Sequence, residues 1–140
     1  MGFEWGWADI DWIAVVVAII ANMVLGFLWY HKKVLGGMWM DDIGMTDEKM
    51  KSGNMMMMMG GMVVMLVIST ISLALIIGNI GGELKEGLVV GAIIGFGITA
   101  ANLLPKYMFQ QRPNRLAVLD AANAGVSITL AGLIIGAFNA

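Results

Sequence analysis

Four uninterrupted apolar runs divide the chain, and its polar residues collect between them. The runs cover residues 12–30, 55–80, 88–104 and 116–138. Each is close to the roughly 20 helical residues that cross a hydrocarbon layer about 30 Å thick. None alternates apolar and polar residues as a membrane strand does. Without water to satisfy the backbone at that depth, the runs predict helices. The third is expected to stop at Pro105-Lys106, which leaves connections at 31–54, 81–87 and about 106–115. The predicted fold is an all-α membrane protein. One transmembrane domain, residues 1–140, holds four helices in a compact bundle.

Charge gives this bundle a direction. Lys32, Lys33, Lys49 and Lys51 lie in the first connection, and Lys106, Arg112 and Arg115 lie in or beside the third. Only Lys85 of the eight positive residues belongs to the opposite side. Lys and Arg accumulate on the cytoplasmic side of membrane proteins. Connections one and three are therefore expected in the cytoplasm, with both termini on the outer side of the cell membrane. The N-terminal tail carries Glu4, Asp9 and Asp11 and lacks the basic start of a signal peptide, so it is expected to be retained. Trp5, Trp7 and Trp12 mark one interface, and Trp29, Tyr30, Trp39 and Tyr107 mark the other.

Composition narrows the function classes. Hydrophobic residues make up 59% of the chain and charged residues 13%, too apolar for a soluble enzyme, a nucleic-acid-binding domain or a disordered tail. No cysteine is present, which removes thiolate nucleophiles and cysteine metal sites. No nucleophile–base pair, ligand set or phosphate-binding glycine loop can be assembled from the sequence. No enzymatic role, cofactor or nucleic-acid partner is expected.

In lipid, helices associate through small residues and interhelical hydrogen bonds. Gly87, Gly91 and Gly95 recur every four residues in the third run, a glycine zipper on one helix face. The fourth run carries Ala121, Gly125 and Thr129 in one row and Gly132, Gly136 and Ala140 in another. The first carries Ala14, Ala18, Asn22 and Gly26. These rows serve packing within the chain or contact with a partner. Asn22 is expected to face another helix, and Asn102 and Asn123 to bond to each other. Asp120 is the one acidic residue inside a predicted run. It sits near the positive end of its helix, and an ion pair with Arg112 or Arg115 is expected to offset its desolvation. The alternative is a substrate-binding or coupling carboxylate.

Eleven of the 14 methionines fall between Met38 and Met65. Thioethers suit Cu(I), so Met38, Met40, Met55, Met58, Met59 and Met62 form a conceivable soft-metal set. Five consecutive methionines, 55–59, point all around a helix, which favours packing or partner contact over convergence on a metal. Thr46-Asp47-Glu48 reads as a helix start.

Two clusters of residues carry a family resemblance. The first is Gly26, Leu28-Trp29-Tyr30, Gly36 and Trp39-Met40. The second is Asn102-Leu103, Tyr107-Met108-Phe109, Arg112-Pro113, Leu116 and Asp120-Ala121. Together they resemble the small four-helix membrane proteins of domain-of-unknown-function family 1761. His31-Lys32-Lys33 departs from the Ser-Pro that often follows Trp-Tyr in that family. The resemblance implies a fold and no established activity. Both signatures lie at the expected cytoplasmic interface, where Trp29, Tyr30, Trp39, Tyr107, Arg112 and Asp120 are expected to gather. The expected role is an accessory or structural subunit that packs against other membrane subunits or copies of itself. A small oligomeric transporter or channel is the alternative, and Cu(I) handling comes third.

Overall fold

The computed structural model describes residues 10–31 and 55–139, together with Asp41 and Glu48. Met38, Trp39, Met40 and the helix start expected at Thr46-Asp47 lie outside the described residues. The described chain forms four helices and no strand. They are α1 (Trp12–Trp29), α2 (Met55–Asn79), α3 (Leu84–Phe109) and α4 (Asn114–Phe138). All four are long and apolar enough to cross a membrane.

Asp11 starts α1. Its Oδ1 accepts hydrogen bonds from the backbone N–H groups of Ile13 at 3.0 Å and Ala14 at 3.3 Å, satisfying donors that a helix start leaves free. The two described turns end their helices in the same way. After α2, Gly82 N donates to Ile77 O and Gly81 N to Gly78 O, with Gly81 at φ +68°. After α3, Arg112 N donates to Tyr107 O and Gln111 N to Met108 O, with Gln111 at φ +55°. Both are Schellman turns, which return two orphan carbonyls to backbone donors.

The third helix is longer than the sequence predicts. It begins at Leu84 rather than 88 and runs through Pro105 to Phe109. Its middle, Ile93–Ala100, is π-helical. Local π adjustment helps satisfy the backbone groups that a membrane proline frees, and Pro105 itself is exposed. The π stretch also corrects a rotation. At about 100° per residue, Tyr107 in a regular helix would sit about 200° round from Gly87. A π-helix, closed by i→i+5 bonds, turns less per residue. Gly87 and Tyr107 can therefore both face α4.

The fourth helix contacts the other three, most closely α3. Gly87, Gly91 and Gly95 meet it backbone to backbone. A Cβ on Gly87 would strike Gly132 O, one on Gly91 would lie 2.9 Å from Thr129 Cα, and one on Gly95 would lie 2.6 Å from Gly125 O. In return, Gly132 is closed in by Gly87 O, Gly136 by Glu83 O and Gly125 by the Phe96 ring. Ala14, Ala18 and Asn22 of α1 are buried as their row predicts.

The apolar core occupies one half of the molecule. It joins Ala14 and Ala18 of α1, Leu73 and Ile77 of α2, and Ala131 and Ile135 of α4. Asn139 Nδ2 ties the end of α4 to Gly82 O in the α2–α3 turn at 3.2 Å. In the other half, no residue of α2 from Met57 to Ser69 is buried.

Candidate functional site

Beside this unburied stretch of α2 lies an open cavity of about 950 Å³, in the half of the molecule nearer the α3–α4 turn. Met58, Met59, Met62 and Met65 of α2 form one wall. Asn22, Gly26 and Tyr30 of α1 form another. Asp120, Asn123 and Ser127 of α4 and Tyr107 of α3 complete it.

A hydrogen-bonded chain crosses the polar side of this space. Tyr30 donates its hydroxyl to Asp120 Oδ1 at 2.6 Å, and Tyr107 donates to Oδ2 at 2.5 Å. Asn123 Nδ2 donates to the Tyr30 oxygen at 3.3 Å, and Ser127 Oγ donates to Asn123 Oδ1 at 3.4 Å. Three helix systems thus converge on one half-buried carboxylate. Tyr30 is the residue just past α1.

The geometry revises three expectations. Asp120 takes two phenols instead of an arginine. Arg112 lies over the Tyr107 ring instead, its Cζ 5.8 Å from the centroid, and cradles the donor rather than the acceptor. Asn102 does not reach Asn123: its Nδ2 donates to Ile98 O of its own helix at 2.6 Å and it is exposed. A self-bonded amide on the outer face satisfies itself without a neighbour. Trp29 stands apart from the cluster. It borders a shallow depression with Arg115, Val118 and Leu119, and its buried Nε1 has no hydrogen-bond partner.

Of the expected interface group, then, Tyr30, Tyr107, Arg112 and Asp120 come together, and Trp39 lies outside the described residues. Of the methionines proposed as soft ligands, Met58, Met59 and Met62 line the cavity, Met55 begins α2, and Met38 and Met40 lie outside the described residues. Asn22 is 8% exposed, and its Oδ1 has no hydrogen-bond partner. The sequence placed Asn22 on a packing face. Nothing in it signalled that the row would open into a cavity, where Gly26 has no atom within 4 Å of a Cβ position.

Four apolar helices beside a largely apolar pocket with a few polar groups at one side define an integral membrane protein with a ligand-sized open pocket. The chain belongs to the family of proteins of unknown function DUF1761, which it matches over residues 13–136. No curated protein and no solved structure matches it.

Proposed function

We propose that this membrane protein binds a small molecule in the cavity and passes it across the bilayer, as a transporter with access from one side at a time. One observation carries the reading: a carboxylate held by Tyr30 and Tyr107 inside a cavity of about 950 Å³. Binding pockets of this size, apolar with a few convergent polar groups, suit drug-sized ligands. Ionisable residues at membrane depth usually mark a substrate path. The packed core of Ala14, Leu73, Ile77 and Ile135 would bar the far side. On the charge bias, the cavity end and the α3–α4 turn face the cytoplasm and both termini face out. A cysteine placed at Gly2 should then label from outside intact cells, and labelling at Ser52 instead would reverse the direction.

The binding reading is tested with purified protein in lipid nanodiscs. Equilibrium dialysis of 1,8-octanediol should show uptake above that of empty nanodiscs, and Gly26→Trp, which fills the cavity, should abolish it. Equal uptake by the variant and the unaltered protein would end the reading.

A second reading keeps the chain as an accessory subunit or homo-oligomer. It draws on the apolar outer surface of α2, where Met57 is 73% exposed. The glycine rows support it less, because those of α3 and α4 are spent on each other. Purification in gentle detergent from native membranes tests it. A stoichiometric second subunit would favour it, and a lone monodisperse monomer would dismiss it.

A further inference from the structure

Two acceptors in the cavity have room for a further donor: a half-buried carboxylate and a buried amide oxygen with no partner at all. The first is Asp120. A carboxylate offers about four acceptor positions, and two phenols fill two of them. No lysine or arginine among the described residues forms an ion pair with it, although charge at membrane depth is normally paired. The second is Asn22 Oδ1, buried on the cavity wall without a partner. Leaving such an atom unbonded is costly, and in native proteins each case calls for an explanation. Asn22 and Tyr30, which anchors Asp120, lie about two turns apart along α1, and both line the cavity. Between them the walls are thioethers and rings: Met58, Met59, Met62, Met65 and Phe27. Polarisable sulfur and the faces of aromatic rings tolerate a nearby cation well. The site is rich in acceptors and soft surface. An anion would meet only repulsion from Asp120.

We propose that the cavity takes an apolar amine: its ammonium group sits against Asp120, and a second hydrogen-bond donor at the other end of the molecule meets Asn22. The inference rests on the binding reading above and adds the ligand class. Two sources share this chemistry, a free amphipathic amine and the ammonium of a phospholipid headgroup.

Four eight-carbon probes separate the contributions, each measured against purified protein in phosphatidylglycerol nanodiscs with empty nanodiscs subtracted. 8-Amino-1-octanol carries both groups, octylamine the ammonium alone, 1,8-octanediol no charge, and octanoate the wrong charge. The amino alcohol should bind more than tenfold tighter than the diol and about fivefold tighter than octylamine, the effect of one hydrogen bond. Octanoate should not bind. Asp120→Asn should erase the advantage over the diol while the diol still binds. Asn22→Leu should erase the advantage over octylamine and leave the charge preference in place. If the amino alcohol and the diol bind alike, the ligand class is wrong and the cavity reading survives. If no probe binds above empty nanodiscs, both fail. Adding phosphatidylethanolamine to the nanodiscs identifies the source: competition assigns the headgroup, and no competition assigns a free amine, with the shared chemistry upheld in both cases.

Discussion

Asp120 shows how a membrane-depth carboxylate is held without a salt bridge. Each oxygen receives one phenol, from residues 90 positions and 13 positions away in sequence. Removing either hydroxyl strips a half-buried acceptor of its donor. Tyr30→Phe and Tyr107→Phe should each lower stability by about 1–2 kcal/mol, and the loss should vanish in an Asp120→Leu background. A double-mutant cycle by denaturant unfolding in detergent checks this. Gln111 offers the opposite case. It holds φ +55° at a position glycine favours, so Gln111→Gly should stabilise the protein by about 0.5–1 kcal/mol in the same assay. At this scale the sequence was half legible. Tyr30, Tyr107 and Asp120 share a depth, which placed them together. That a phenol rather than a guanidinium would meet the carboxylate was hidden, because Arg112 lies in the turn beyond α3 and finds the Tyr107 ring first.

The helices behave as their small residues direct. Gly87→Ala would force a methyl into the Gly132 carbonyl, so it should cost about 1–3 kcal/mol as backbones part. Gly60→Ala and Gly61→Ala meet open space and should cost nothing. Thermal unfolding of the three variants side by side distinguishes a close-packed face from mere glycine content. The α3 and α4 rows were legible because a spacing of four marks one helix face. The π stretch was not, since no composition rule announces i→i+5 bonding, and Pro105 read as a stop. Both misreadings share a cause: the path of α3 is set by α4, which sequence periodicity in α3 alone does not contain.

The whole molecule is polarised, with a sealed half and an open half. A cysteine at Gly26 should react with a membrane-impermeant thiosulfonate added on the side of the α3–α4 turn, and one at Ala14 should resist from either side. Modification at both positions would show that the core does not seal. Four spans and their boundaries at α1 and α2 were visible as apolar runs. The cavity was not, because it lies beside the part of α2 before Thr70 that has no buried position. The position of α4 has a consequence for biogenesis. It makes the most extensive contacts with the other three, and it follows them in the chain. Until it arrives, the glycine face of α3 lacks the surface it packs against. The packing of α3 is therefore completed only when α4 is in place. A chain truncated before Asn114 should accordingly leave a cysteine placed at Gly91 open to a lipid-soluble maleimide, and the chain with α4 should protect it.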